Sequence, residues 1–195
     1  MRVITSPAWF CAFRRLGIPS PVLENGLVRP ETSLGLKDSK KVIIHPTSSS
    51  YFKNWNLRNF IRLEELLQEN GFSPEFILDP KEKNVAARLK KAGMKCFMDS
   101  DISSVALYLT TASRFIGNDS GIGFLASNVG LPTHTLFALP RKAMRWLPCW
   151  SPAVAILPSL SEIIPELIRS VIWKYWISPE KVLAIFKGEN SRVEV

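Results

Sequence analysis

Short apolar runs alternate with amphipathic segments through most of the chain. Six runs have the length and composition of buried strands, at residues 41–45, 75–78, 95–98, 115–116, 133–137 and 154–157. The clearest helical spacing follows Asn56, a candidate cap, and stops at Gly71; its apolar positions are Leu57, Phe60, Ile61, Leu63, Leu66 and Leu67. Strands that alternate with helices in this way predict an α/β fold, with a parallel sheet covered by helices on both faces.

The two ends of the chain do not show this alternation of strands and helices. Residues 1–40 contain scattered prolines and glycines without a sustained period, which predicts an N-terminal arm, remnant or linker. Residues 41–177 form the expected domain. Residues 178–195 begin with Ser178-Pro179-Glu180, which is typical of a helix start, and are expected to pack back on the domain as a C-terminal helix.

An apolar stripe precedes this last segment, at Ile163, Ile164, Leu167, Ile168, Val171 and Ile172. Packing of the stripe against the sheet is the favoured interpretation. The neighbouring Trp173, Lys174, Tyr175 and Trp176 leave contact with a membrane surface as the alternative.

Composition narrows the classes of partner without selecting one. The chain of 195 residues has a net charge of +8, which favours nucleic acid, an anionic membrane face or phosphorylated substrates. Its three cysteines are far apart and it has only two histidines, so neither a disulfide framework nor a metal site is expected. No apolar run is long enough to span a bilayer, and the first residues do not resemble a signal peptide. A cytoplasmic protein is expected, and peripheral contact with the inner membrane remains an open alternative.

The segment from Ser113 to Ser127 contains the most informative turn. An apolar strand ends in Asn118-Asp119-Ser120-Gly121, and a helix rich in small residues follows. Such a junction lies at the carboxyl edge of an open α/β sheet, where ligands bind. Free N–H groups at the helix start suit a phosphate. An ordinary capped turn is an equally good interpretation of the residue types alone.

A second polar loop, residues 45–55, follows the first strand and should share that edge. The hydroxyls of Thr47 and Ser48 and the ammonium of Lys53 would suit a diphosphate, because each offers a donor or positive charge to oxyanions. Turn hydroxyls and a solvated lysine are the alternatives for these residues. His45, at the end of the strand, is expected to be a structural histidine with satisfied hydrogen bonds.

Together the two loops resemble the family 9 glycosyltransferases, the ADP-heptose:lipopolysaccharide heptosyltransferases. The resemblance rests on residues 45–48, 53–55 and 115–126, with further matches at residues 129–133, 136–137, 145–146 and 148, and it covers about residues 41–158. It implies a Rossmann-like domain that corresponds to the C-terminal, donor-binding half of a two-domain GT-B glycosyltransferase.

The resemblance also implies a role for each site residue. Lys53 would neutralise the departing diphosphate with help from Thr47 and Ser48. Ser120, Gly121 and Ile122 would offer backbone N–H groups to the phosphates, and Asp119 would hold sugar hydroxyls. Ser100 would lie near the base, and Glu82 near the ribose. The implied donor is ADP-heptose or a similar nucleotide sugar, with no cofactor or metal, and the acceptor is the lipopolysaccharide core.

Two departures from the family pattern change these expectations. Phe124 stands where the family often has histidine, which removes one polar contact near the phosphates. About forty residues precede the first strand, too few for a second domain, so no catalytic residue is identified in this chain. A separate chain carrying the N-terminal domain is the expected partner, and the chain alone is expected to be inactive.

Two other classes of function stay open at this point. One is a non-catalytic module that binds a nucleotide sugar or phosphate. The other is a basic protein that binds nucleic acid or a membrane surface through Arg141, Lys142, Arg145, Trp146 and Trp150. A solvated face with one packed tryptophan is favoured over nucleic-acid binding for these five residues.

Overall fold

A computed structural model describes residues 38–159 and 164–188, together with Gly17. The predicted arm at residues 1–40 therefore lies outside the described residues, except for Gly17 and its last three residues. Ile163 of the apolar stripe also lies outside them, as does the end of the C-terminal segment after Gly188.

Six strands form one sheet in which every neighbouring pair is parallel. They are β1 (Lys41–His45), β2 (Ser73–Leu78), β3 (Cys96–Met98), β4 (Arg114–Asn118), β5 (Thr133–Leu136) and β6 (Ala153–Ile156). Their order is β3-β2-β1-β4-β5-β6, that of a doubly wound Rossmann sheet. The predicted α/β fold class is confirmed, and each strand lies within a few residues of its predicted position.

The helices of the described chain are α1 (Leu57–Glu69), α2 (Lys83–Lys91), α3 (Ile102–Thr110), α4 (Gly121–Asn128), α5 (Pro140–Trp146), α6 (Glu166–Ile172) and α7 (Pro179–Lys187). Two short 3₁₀ turns, Tyr51–Lys53 and Trp173–Tyr175, and helix α5 were not predicted, because they are too short to show a period. Asn56 occupies the cap position of α1 but makes no capping hydrogen bond with its side chain. Asp101 caps α3 by accepting a hydrogen bond from the Ser104 N–H.

Alternate strand residues enter two separate hydrophobic layers. Val42 and Ile44 lie in a large layer that includes residues of α1 and α7, whereas Ile43 lies in a smaller layer with residues of α3. In β4, Ile116 joins the first layer and Phe115 the second. This period of two places helices on both faces of the sheet.

The segment after α6 is held to the loop that follows β1. Trp173 is fully buried, and its indole N–H donates to the Phe52 carbonyl oxygen at 3.1 Å. In return, the indole N–H of Trp55 donates to the Ile177 carbonyl oxygen at 3.0 Å. These two bonds connect the C-terminal segment to the loop that carries Lys53.

Helix α7 continues this packing against α1 and β4. Val182, Ile185 and Phe186 lie in the large hydrophobic layer. The Arg114 guanidinium lies 4.6 Å from the Phe186 ring centroid and donates to the Phe186 carbonyl oxygen at 2.7 Å.

The favoured interpretation of the apolar stripe is wrong for most of its described part. Leu167 is 80% exposed, and Ile168 and Val171 are also exposed. Helix α6 has only seven residues and buries none of its side chains. Residues of α1 and α7 already lie in the large layer. In the described chain after β6, the first residues that join this layer are Trp173 and Ile177, beyond α6. Among the described residues, no helix is long and apolar enough to cross a membrane.

Truncation of Phe186, in the buried C-terminal packing, should destabilise the fold much more than truncation of a residue in the exposed stripe. Phe186→Ala should lower the free energy of unfolding by about 3–5 kcal/mol, because a large side chain that is 2% exposed leaves a cavity. Leu167→Ala is the control and should change it by less than about 0.5 kcal/mol. Urea unfolding followed by circular dichroism measures both, and equal losses would contradict this packing.

Candidate functional site

The site lies where β1 and β4 run side by side, which is the point where the strand order reverses. Ligands of doubly wound sheets bind outside the carboxyl ends of strands at this position. His45, the last residue of β1, is in register with Gly117 of β4. A Cβ at Gly117 would lie 2.9 Å from the His45 carbonyl oxygen and from the Phe115 ring, so this close packing requires glycine.

Asn118 fastens the loop after β1 to the end of β4. Its side chain is fully buried. Its Oδ1 accepts a hydrogen bond from the Trp55 N–H at 3.0 Å, and its Nδ2 donates to the Pro46 carbonyl oxygen at 2.8 Å. Both ends of the loop are thereby held against β4. This role of Asn118 is not evident from the sequence, because an asparagine before a turn usually bonds its own backbone.

His45 connects the two loops through its ring. Its Nδ1 lies 2.9 Å from Ser120 Oγ, and its Nε2 lies 3.0 Å from Thr47 Oγ1. Burial lowers the pKa of His45 from 6.5 to about 4, so the ring is neutral at pH 7. A neutral ring has one donor and one acceptor nitrogen, and either hydroxyl can supply the complement. The expectation of a structural histidine with satisfied hydrogen bonds is confirmed.

Ser120 caps the start of α4, where Gly121 is exposed and Ile122 is half-buried. The Ser120 Oγ accepts from the Gly123 N–H at 3.4 Å. Among the described residues, no acceptor binds the N–H of Gly121 or Ile122. A Cβ built on Gly121 would meet no atom within 4 Å. This helix start can therefore present two backbone donors to an anion.

Lys53 lies beside this helix start. Its Nζ is 2.8 Å from Asp119 Oδ2, and Asp119 immediately precedes the capping serine. The Asp119 side chain is 11% exposed and that of Lys53 is 43% exposed, so solvent reaches mainly the lysine. The sequence analysis did not predict this ion pair, since 66 residues separate the partners. The pair places an ammonium group close to the α4 N-terminus.

The remaining predicted site residues lie apart from this cluster. Ser48 Oγ is 2.7 Å from Asn54 Oδ1 and 3.0 Å from the Ser50 carbonyl oxygen, so its contacts stay within its own loop. Glu82 is the N-cap residue that precedes α2, and its Oε2 accepts from the Asp79 N–H at 2.8 Å. Ser100 is exposed after β3.

The structure therefore brings together Thr47, Lys53, Asp119, Ser120, Gly121 and Ile122, joined by His45 and Asn118. Ser100 and Glu82 follow neighbouring strands at the same edge of the sheet. No hydrogen bond or ion pair among the described residues links either of them to the cluster. No group of three His, Cys, Asp or Glu side chains in the described part of the chain could hold a metal ion.

The two glycines of the motif should respond differently to an added methyl group. Gly117→Ala should lower the free energy of unfolding by roughly 1–3 kcal/mol, as overpacking does, because its Cβ meets a backbone carbonyl. Gly121→Ala should change it by less than about 0.5 kcal/mol. Urea unfolding of both variants is the measurement, and a neutral Gly117→Ala would show that β1 and β4 can separate.

Acid should destabilise the fold through its two histidines. Burial, with the nearby charge of Arg114, lowers the pKa of His134 to about 4, as burial does for His45. Between pH 6.5 and 4 the unfolded chain binds more protons than the folded chain. The free energy of unfolding should therefore fall over this range, by up to about 3 kcal/mol per histidine, and these two groups add no further loss below pH 4.

Single variants His45→Gln and His134→Gln test this pH dependence. Each should show a shallower slope of unfolding free energy against pH than the parent protein. A slope unchanged in both variants would mean that other groups cause the acid sensitivity.

Three solved structures illustrate the fold similarity. ADP-heptose lipopolysaccharide heptosyltransferase II of E. coli is 16% identical with a TM-score of 0.60, and the match covers 77% of this chain and 46% of that one. E. coli heptosyltransferase WaaC with ADP is 15% identical with a TM-score of 0.62, and the match covers 84% of this chain and 52% of that one. A family 9 glycosyltransferase from Veillonella parvula is 17% identical with a TM-score of 0.64, and the match covers 94% of this chain and 51% of that one. The chain spans about half the length of these proteins. No curated protein matches the sequence.

A family model gives the more specific match. The model of glycosyltransferase family 9 (heptosyltransferase) matches residues 20–165, which include both site loops and all six strands. With this match over most of its length, the chain belongs to glycosyltransferase family 9, the heptosyltransferases.

Proposed function

We propose that this domain binds the donor of a glycosyl transfer, ADP-heptose or a similar nucleotide sugar, through the diphosphate. The observation that supports this most directly is the position of Lys53 beside the start of α4. The ammonium is paired with Asp119, two residues before the Gly121 N–H, and no described residue supplies an acceptor to the N–H groups of Gly121 and Ile122. Two neighbouring phosphates require such a set of donors and positive charge.

The proposed role of these groups in transfer is electrostatic. When the bond between the sugar C1 and the diphosphate oxygen breaks, negative charge grows on that oxygen. Lys53 and the N–H groups of Gly121 and Ile122 would stabilise this charge without large movement, because the surrounding bonds already hold the two loops in place. Thr47 would contribute through its hydroxyl, which His45 orients.

Asp119 has two proposed roles that are compatible. Its Oδ2 holds Lys53 near the α4 N-terminus. A carboxylate has two oxygens, so the other oxygen could accept hydrogen bonds from sugar hydroxyls. Ser48, which bonds within its own loop, would support the shape of that loop.

The nucleoside is proposed to extend along the same edge of the sheet towards β2 and β3. Glu82 and Ser100 follow these two strands. Glu82 would bind the ribose and Ser100 would lie near the base. This direction places the phosphates at the switch point and the base over the half of the sheet formed by β1, β2 and β3.

The complete reaction is proposed on the basis of family membership. It transfers heptose to the lipopolysaccharide core with inversion at the anomeric carbon. In such a reaction a second domain would hold the acceptor and take the proton from its attacking hydroxyl. The cytoplasmic face of the inner membrane is the proposed location.

Calorimetry with ADP tests the donor site directly. The protein should bind ADP and an ADP-sugar, and Lys53→Ala should weaken both about tenfold, or about 1.4 kcal/mol, because the diphosphate loses its ammonium partner. Lys91→Ala removes the same charge from the exposed end of α2 and is the control. It should leave binding unchanged within about twofold.

Two results would contradict the proposal. The first is no heat of binding at millimolar ADP by a protein that unfolds cooperatively. The second is equal weakening by Lys53→Ala and Lys91→Ala, which would show that ADP responds only to net charge.

A further inference from the structure

A basic cleft of about 440 Å³ opens on the outer side of the loop after β1. It is bordered by the first residues of α1, by α2 and by the 3₁₀ turn Trp173–Tyr175. Its volume is within the range of small-molecule sites. Thr47 lies at its border, but Lys53, Asp119, Ser120 and Gly121 do not line it.

The described residues that line this cleft carry charges of one sign. Among them Arg58, Arg88 and Lys174 are charged, and none is an aspartate or glutamate. Three asparagines, Asn54, Asn56 and Asn59, add amide groups. No ion pair or hydrogen bond in the described part of the chain involves the side chains of Arg58 or Arg88.

Lys174 provides a second, independent indication of a ligand. The residue is only 6% exposed, although lysine is almost never buried without a partner. Its Nζ lies 4.5 Å from the Tyr51 ring centroid, and this cation–π contact partly stabilises the positive charge. No carboxylate or other hydrogen-bond acceptor holds it among the described residues. The stem of Lys174 is packed into the wall of the cleft, and its charge is available to an anion that enters.

We propose that this cleft binds a phosphate-bearing anion that is distinct from the donor diphosphate. Arg58 and Arg88 would hold its oxygens through their planar guanidinium groups, and Lys174 would supply charge from the wall. The cleft and the donor site are separated by the 3₁₀ turn Tyr51–Lys53. Tyr51 faces the cleft, and Lys53, two residues later, faces α4. The proposal does not rest on the proposed function, because the cleft shares Thr47 with the donor site but none of the donor site's charged groups.

Titration with inorganic pyrophosphate, on a Lys53→Ala background, tests the cleft. That background removes the ammonium of the donor site. Adding Arg58→Gln and Arg88→Gln, two exposed residues, should weaken pyrophosphate binding at least tenfold. The matched control adds Lys90→Gln and Lys91→Gln, which remove the same two charges from exposed positions on α2, and should leave it within about twofold.

A parallel titration with glucose 1-phosphate distinguishes the source of the phosphate. Binding of glucose 1-phosphate with the same dependence on Arg58 and Arg88 would identify a phosphate ester as the ligand class, and binding of pyrophosphate alone would identify an inorganic diphosphate. No binding of either probe by the Lys53→Ala protein overturns the proposal, as does equal weakening by the control pair. Failure of ADP to bind the parent protein would contradict the donor site but not this cleft.

Discussion

The two hydrogen bonds of Asn118 are the constraint on which the candidate site depends. One buried amide accepts from the Trp55 N–H and donates to the Pro46 carbonyl oxygen, so the loop between β1 and α1 is tied near both ends to β4. Gly117, in register with His45, lets the two strands come close enough for this contact. The ring of His45 then reaches Ser120 across the same gap. The loop that carries Lys53 is therefore positioned by groups that do not themselves face the proposed ligand.

The C-terminal segment supports this loop from the other side. The indole groups of Trp55 and Trp173 bond to carbonyl oxygens on each other's segments, and both rings are buried. The 3₁₀ turn that presents Lys53 is thus held between β4 and the residues that lead into α7. Core packing and site geometry consequently share the same residues. Damage to the large hydrophobic layer should change the position of Lys53 as well as the stability of the fold.

Much of the fold could be predicted from the sequence, because a doubly wound sheet has strong local signals. Apolar runs of two to five residues marked the strands, and Gly71 marked the end of α1. The motif at Asp119-Ser120-Gly121 and the Lys53 loop were identified by their residue types and family pattern. The Lys53–Asp119 pair and the roles of Asn118 and Lys174 could not be predicted. Each depends on contacts between segments more than fifty residues apart or on burial.

The apolar stripe of α6 shows that periodicity can also lead to an expectation of burial that the structure does not show. Helical spacing of Leu167, Ile168 and Val171 correctly predicted a helix, but it did not reveal whether a hydrophobic layer remained to receive it. Amphipathic spacing indicates that a segment is helical, but it does not identify which residues pack against the apolar face of that helix. The large layer was already occupied by α1 and α7.

The Lys53–Asp119 pair also limits how far from the protein Lys53 can attract an anion. A lysine whose ammonium is 2.8 Å from a carboxylate has almost no net charge when seen from afar. Long-range attraction of an anionic molecule must then come from the rest of the protein, whose net charge is +8. In the proposed function, the pair would act only after arrival, when a phosphate oxygen competes with Asp119 for the ammonium. Approach and recognition would then be governed by different groups, and salt would slow the first more than it weakens the second.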